Sequence, residues 1–297
     1  MTSLSPTARG IAYMIGGITV FTLMDALAKH LILQGYSPLQ VVWARYTGQT
    51  VLIVALLAPR LPGALRSRHP ALQALRSLFQ FGASGLFFLS LRYIGLAEAT
   101  AIADTSPVLI TLGAALFLGE RIGPRRLAGV IVALIGALIV IRPGGELFTP
   151  ASFLPMAGAL CYTGFALVSR RIGGADSAWT SLLYAALVGT VVTSAIVPAV
   201  WTPIALRDLW GFVLIGGIGA LAQLGLFRAF TLAEAGTVAP FGYVGIPLAT
   251  LWGFTFFGTV PDRMTILGAL VIIGAGLYVW HRETRAPLAP QSDQETT

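Results

Sequence analysis

Ten apolar stretches of helix length succeed one another along the 297 residues of this chain, and no other feature narrows its fold as far. They run 10–33, 37–58, 72–92, 98–118, 124–141, 151–170, 178–200, 208–229, 237–257 and 263–281, parted by short breaks of Pro, Gly or charge. A bilayer crossing takes about 20 such residues, so ten crossings use about two-thirds of the length. The breaks are mostly under ten residues, which makes consecutive helices antiparallel neighbours, and the longest, 59–71, cannot hold a soluble domain. Charged residues make up 10% of the chain and apolar ones 56%, whereas a soluble globule carries about 25% charge. Such a chain cannot cover itself with polar surface. The runs lack period-two alternation and are twice the length of a barrel strand, which excludes a β-barrel. The expectation is an all-α integral membrane protein with ten transmembrane helices and a disordered tail, 283–297.

The net charge of +7 does not mark a nucleic-acid binder, because its 18 Arg and one Lys are scattered at the ends of apolar runs rather than clustered. Their distribution sets the orientation instead. With the N-terminus cytoplasmic, thirteen arginines fall on the cytoplasmic side and only Arg92, Arg142, Arg207 and Arg263 on the other. Both termini are then cytoplasmic. Cys161 is the only cysteine, so no disulfide framework exists. The first run is too long for the core of a cleavable signal and lacks a small-residue cleavage site.

The chain also repeats itself. Leu96-Ala97-Glu98-Ala99 recurs as Leu232-Ala233-Glu234-Ala235, each after an arginine (Arg92, Arg228) four residues before the leucine. Pro107 is echoed by Pro247, Leu118-Gly119 by Phe257-Gly258 and Gly129 by Gly268, while Gly17 to Lys29 aligns with Gly158 to Arg170. The repeats are 9–142 and 150–282, five helices each; five is odd, so the two have inverted topology. Inverted halves can exchange conformations and open a midplane site to one side and then the other. An old duplication without mechanical consequence is the plainer alternative.

Gly119-Glu120-Arg121 closing the fourth run, Thr105-Ser106-Pro107 before it, Arg45 in the second run and Gly129/Gly136 in the fifth together resemble the EamA-type drug/metabolite transporter superfamily. The resemblance covers both halves. It implies a ten-helix basket in which spans 1–4 and 6–9 surround a central cavity, with spans 5 and 10 clasped behind. Within the superfamily the chain is most similar to bacterial aromatic amino-acid exporters. Gly258-Thr259-Val260 departs from the family motif in the second half, and Pro240 has no counterpart in the fourth run.

Charges inside spans are candidates for function. Asp25 and Arg45 lie roughly 12 Å from the outer helix ends, Asp104 roughly 9 Å and Lys29 roughly 6 Å. Asp25 and Lys29 are four apart on one helix and are expected to face each other. The group either recognises substrate charge or relays a proton; the blander reading is an ion-pair network that fixes packing, with Lys29 and His30 snorkelling to the surface. Gln80 and Ser84 share a face of the third span, Gln223 lies in the eighth and Tyr162 in the sixth; each lines a cavity or bonds between helices. The ninth run, Ala239-Pro240-Phe241-Gly242-Tyr243-Val244-Gly245-Ile246-Pro247, cannot be a regular helix, because each proline removes a backbone bond. Broken backbone at membrane depth must be buried or line a cavity. Pro240, Gly242, Gly245 and Pro247 are therefore hinge candidates together with Pro107, and Phe241, Tyr243 and Trp252 are candidates for an aromatic wall. Gly129, Ala133 and Gly136 in the fifth run, with Gly268, Gly274 and Gly276 in the tenth, read as close-contact faces.

No phosphate-binding Gly-x-x-x-x-Gly-Lys-Ser/Thr loop or Gly-x-Ser-x-Gly turn is present, and His30, His69 and His281 lie far apart in sequence. No catalytic residues, metal or cofactor are expected. The reading is a secondary transporter that exports neutral and aromatic amino acids by alternating access, as a monomer in the lipid bilayer. A carrier of drugs or other metabolites and, in a different class, a channel are the alternatives.

Overall fold

The computed structural model describes residues 5–119, 123–144, 149–173, 175–233 and 235–285. Every regular element among them is helical. In chain order they are α1 (Pro6–Leu33), α2 (Pro38–Leu57), the short α3 (Leu61–Ala64), α4 (Pro70–Ser90), α5 (Leu96–Ala103), α6 (Ser106–Leu118), α7 (Pro124–Ile141), α8 (Phe153–Ile172), α9 (Ala178–Ile196), α10 (Leu209–Leu232), α11 (Ala235–Val238), α12 (Gly245–Phe257) and α13 (Arg263–Arg285). Glu120 and Arg121 of the family motif, Glu234 of the repeat and residues 286–297 of the tail lie outside the described residues.

The helix starts follow from local chemistry. The Ser5 hydroxyl accepts from the Ala8 N–H at 3.2 Å, and Pro6 follows in the first turn, where its missing N–H costs nothing. Pro38, Pro70 and Pro124 open α2, α4 and α7 in the same way. The ends of α6 and α12 match: each stops at a glycine in the left-handed region, Gly119 at φ 72° and Gly258 at φ 63°, a conformation penalised for any residue with a Cβ.

Among the described residues, seven helical stretches are long and apolar enough to cross a bilayer: Pro6–Leu33, Pro38–Ala64, Leu96–Leu118, Pro150–Ile172, Ala178–Val200, Leu206–Leu232 and Arg263–His281. The other three expected runs fall short for separate reasons. α4 is diluted by Gln73, Arg76, Ser77 and Gln80. The apolar part of α7 is short, Leu127–Ile141. The ninth run is cut by a 3-10 turn, Ala239–Val244, between α11 and α12. The fourth is cut as well, at Asp104 and Thr105 between α5 and α6.

The helices pair across the chain, not along it. α1 packs chiefly against α10, α4 against α8 and α7 against α13, with α2 held between α9 and α10. Small residues set these distances. A Cβ on Gly17 would stand 3.0 Å from the Leu226 nitrogen, and one on Gly48 2.8 Å from the Gly216 Cα. On α4 and α8, a Cβ on Gly82 would stand 3.1 Å from the Cys161 sulfur and one on Gly158 3.2 Å from the Ala83 carbonyl oxygen. α7 meets α13 through Gly129, Gly136 and Gly268 as the sequence suggested, but Gly274 has nothing within 4 Å of its Cβ position and Gly276 packs against Tyr243 instead. The largest buried cluster joins Met24, Leu31, Val41, Tyr46, Phe88, Leu96 and Phe212 from α1, α2, α4, α5 and α10, with Tyr36 between α1 and α2.

Candidate functional site

The two interruptions meet. Asp104 occupies the break between α5 and α6, and its Oδ2 lies 3.8 Å from where a Cβ on Gly245 would stand. Gly245 opens α12 directly after the 3-10 turn. The Asp104 carboxylate thus sits beside the N-terminal ends of two half-helices, α6 and α12, whose dipoles favour negative charge. Thr22 of α1 also flanks Gly245, and the Trp252 indole N–H donates to the Thr22 hydroxyl at 3.0 Å. One turn along α1, Asp25 is only 5% exposed, and Asp25 and Asp104 lie within electrostatic reach of each other.

Neither acid is compensated. Asp25 Oδ1 and Asp104 Oδ2 are buried without a hydrogen-bond partner, and neither carboxylate forms an ion pair with a described cation. Arg45, 2% exposed, is the cation whose field reaches Asp25, but its guanidinium donates to Ser84 Oγ at 2.9 Å. It is also packed among the rings of Phe21, Tyr46 and Phe88 at 5.3, 5.3 and 5.7 Å. The pairing of Asp25 with Lys29 expected from their spacing is not made. Lys29 is 6% exposed rather than snorkelling, and its ammonium donates to the Ile94 carbonyl at 2.7 Å. An isolated buried charge is costly, so two carboxylates without a protein partner mark a place for a proton or a cationic group.

The other expected residues fall around this centre unevenly. Ser84 is tied to Arg45 and, at 3.3 Å, to the Tyr46 hydroxyl. Gln80, one turn away, is buried with its Oε1 unpartnered. Gln223 accepts from Gln49 Nε2 at 3.1 Å, a bond between α10 and α2. Tyr162 pairs with Phe165 at 5.2 Å and is 44% exposed midway along α8. It lies within electrostatic reach of both Arg76 and Asp104. The Tyr243 hydroxyl is buried against Gly276 without a partner. Trp252 stacks on Phe256 at 5.7 Å, whereas Phe241 packs with Met14, Ala229 and Val238 in a separate cluster. The aromatic residues thus occupy four neighbourhoods and do not form one wall. Of the hinge candidates, Pro240 and Gly242 lie in the 3-10 turn, Gly245 and Pro247 in the first turn of α12, and Pro107 in the first turn of α6. A surface groove of about 460 Å³ runs past Pro247, Thr250 and Phe254, away from the carboxylates.

Several polar residues were not singled out by sequence. Thr22 was hidden by its apolar surroundings. Arg76, on the cytoplasmic side by the arginine count, lies two turns inside α4, where Nε donates to Ser169 Oγ at 2.7 Å and the guanidinium stacks 4.4 Å over Phe165. At one membrane face Asp176 accepts from Ser67 Oγ at 2.5 Å, the Arg68 N–H at 2.8 Å and Gln73 Nε2 at 2.9 Å. Burial raises the Asp176 carboxyl, but these donors outweigh it and hold the group below the usual carboxylate range. At the other face the Tyr36 hydroxyl donates to Asp208 at 2.7 Å, and Gln40 exchanges two bonds with the Thr202 backbone. Pattern reading passes over such hydrogen bonds because each partner lies at least 93 residues away.

A family model described as the EamA-like transporter family matches residues 8–142. A riboflavin transporter of Vibrio cholerae is 26% identical over 281 residues, 93% of this chain and 94% of that protein. The pseudopaline exporter CntI of Pseudomonas aeruginosa is 30% identical over 278 residues, 90% of this chain and 94% of its own length. A solved crystal structure, 20% identical, aligns with a TM-score of 0.61 over 95% of this chain and all of the other, which shows a shared fold. These relatives are named for riboflavin and pseudopaline, not for aromatic amino acids, and do not carry the narrower amino-acid resemblance. With the apolar helices and nearly full-length similarity to two carriers, this multi-pass membrane protein belongs to the EamA-like transporter family.

Proposed function

We propose that the chain is a secondary carrier of small, largely apolar metabolites, neutral and aromatic amino acids among them, working as a monomer by alternating access in the bacterial inner membrane. In this reading 9–142 and 150–282 are inverted five-helix repeats, ten spans in all, and both termini are cytoplasmic. The observation that carries it is the meeting of the two broken helices at Asp104 and Gly245, beside a second uncompensated carboxylate at Asp25. Interrupted helices at mid-depth are where carriers built from inverted repeats place their substrate and coupling ions. The packing supports the repeats. If each span is exchanged for its mate, the pair α1/α10 becomes α8/α4, α2/α10 becomes α9/α4 and α1/α12 becomes α8/α6, and all six pairs are in contact. The matching left-handed caps at Gly119 and Gly258 support it again.

The surroundings are mostly apolar and aromatic with few polar groups. Such a site discriminates weakly between related apolar side chains, since one methylene is worth only about 1–3 kcal/mol. The riboflavin relative favours an uncharged aromatic molecule as the alternative cargo. Asp25 and Asp104 hold either the substrate's ammonium group or the coupling proton. The test is purified protein in liposomes with labelled phenylalanine, leucine and riboflavin, measured as counterflow. Saturable exchange of the neutral amino acids is expected. Non-saturable flux would favour a channel, and exchange of riboflavin alone would replace the amino-acid assignment.

A further inference from the structure

We infer that Lys29 is a gating residue, the bolt that closes the carrier on the face where α1 ends. The inference rests on the alternating-access reading above. The glycine-lined contacts define two closely sutured groups, α1 and α2 with α10, and α4 with α8. Opening the site requires relative movement of such groups, so bonds that cross between them are the ones that must break. Lys29 makes one. From α1, about one turn from its end, the ammonium reaches across to the Ile94 carbonyl in the turn between α4 and α5, at 2.7 Å. Glu98 accepts from the Gly95 N–H in that same turn at 2.8 Å, and its charge acts on Lys29. The ammonium also stands 5.6 Å over the Phe257 ring at the end of α12. One side chain therefore pins three elements together above Asp25 and Asp104. Arg45 to Ser84, from α2 to α4, is a second crossing bond at 2.9 Å.

The residue type fits the task. In a chain with 18 arginines this is the only lysine. A lysine is a point donor on a flexible stem that needs no planar match, so a single bond to a backbone carbonyl can be released and remade. A merely structural cation would gain more from the guanidinium fork. Ile94 offers a backbone acceptor, so the bond depends on where the turn sits rather than on its side chain.

The test uses Ile18→Cys in a Cys161→Ala background. Ile18 lies eleven residues before Lys29 on the same helix face, roughly 16 Å deeper, and its side chain packs beside Gly245. Labelling by a membrane-impermeant maleimide in proteoliposomes reads whether the path past the bolt is open. Lys29→Met should raise the labelling rate at least tenfold from the face where α1 ends and not from the opposite face, and Lys29→Arg should restore most of the protection. An unchanged rate in Lys29→Met overturns the inference and leaves Lys29 a packing residue. Should Lys29→Met fail to fold, unmodified protein answers instead: an impermeant amine reagent, mapped by mass spectrometry, has one lysine to modify. Slow but complete modification of the folded protein supports a bolt that opens, whereas modification only in denaturant overturns it. No substrate enters either readout, so a wrong substrate assignment would fail the counterflow assay and leave this result standing.

Discussion

The fourth and ninth runs, mates in the proposed repeat, share one design and put it to different uses. Both end on a left-handed glycine, and both carry a proline in the first turn of the second half-helix, Pro107 in α6 and Pro247 in α12. Their interruptions differ. The fourth run breaks over two residues, one of them Asp104. The ninth breaks over the six-residue turn Ala239–Val244 and resumes at Gly245, which has no side chain. Aligned on the prolines, Asp104 falls opposite Val244; aligned on the first and sixth runs, Asp25 falls opposite Ala166. The first half of the chain supplies both charges and the second supplies room beside them. Under the proposed duplication, divergence at these two positions is why the centre is not symmetric.

The largest expected effect comes from removing the charge. Asp104→Asn and Asp25→Asn should each lower counterflow at least tenfold with expression intact, since each replaces an uncompensated carboxylate by an amide of similar size. Adding Val244→Asp to Asp104→Asn should not restore transport. Recovery in the double variant would show that the halves are interchangeable and break the comparison. Normal transport by both Asn variants from pH 5 to 8 would make the acids packing partners.

The room beside Asp104 can be filled in steps. A Cβ on Gly245 would lie 3.5 Å from Ile18 Cγ2, 3.8 Å from Asp104 Oδ2 and 3.9 Å from Thr22 Cγ2, all ordinary contact distances. Gly245→Ala should therefore fold and keep most of its transport, whereas Gly245→Leu, which must push into the carboxylate, should lose about tenfold. Equal activity of the two variants would mean that the space is not used.

How much of this could be read from the sequence depended on range. The apolar runs and the broken ninth run are local patterns, and the helices follow them closely. The two carboxylates were also visible, because charge inside an apolar run is conspicuous. What they touch was not. The Asp25–Lys29 spacing predicted a pair, but the Ile94 carbonyl, 65 residues from Lys29, took the ammonium. Phe241, Tyr243 and Trp252 looked like one wall because they are near in sequence, yet the 3-10 turn between α11 and α12 sends them to different neighbours. Thr22 and Gln49 became meaningful only once Trp252 and Gln223 were seen to bond to them.

Tyr243 allows a finer test of the ninth-run turn. Its phenol lies where a Cβ on Gly276 would overlap it. Gly276→Ala must move the ring, while Tyr243→Phe keeps the ring and removes only the unpartnered hydroxyl. If the turn sets selectivity, Gly276→Ala and Tyr243→Ala should shift the phenylalanine-to-leucine counterflow ratio by a few-fold in the same direction, and Tyr243→Phe by less than twofold. A larger effect in Tyr243→Phe would assign recognition to the hydroxyl and not to the position of the ring.

The smallest effect concerns the fifth and tenth runs, where the proposed repeats again differ at one end. Arg142, closing α7 at φ 47°, is paired with Asp262 just before α13. With the repeats aligned through Gly129 and Gly268, the equivalent positions are His281 and Gly123, and a glycine offers no carboxylate. The hydrogen bond from Arg142 holds the Asp262 carboxyl down to about 2. A carboxyl held low stabilises the fold at every pH above the ordinary Asp value of about 4, and that contribution fades as pH falls through 2. The pair is partly exposed, so its worth is limited to about 0.5–1 kcal/mol. Asp262→Asn should therefore lower the thermal midpoint in detergent by a degree or two at pH 7, and the gap to the parent protein should narrow as pH is lowered below 4. Gly123→Asp adds the carboxylate at the other end, at the N-cap of α7, where the helix dipole favours it. It should leave counterflow unchanged. A loss of transport would mean that α7 and α13 slide during the cycle instead of serving as a fixed clasp behind the cavity.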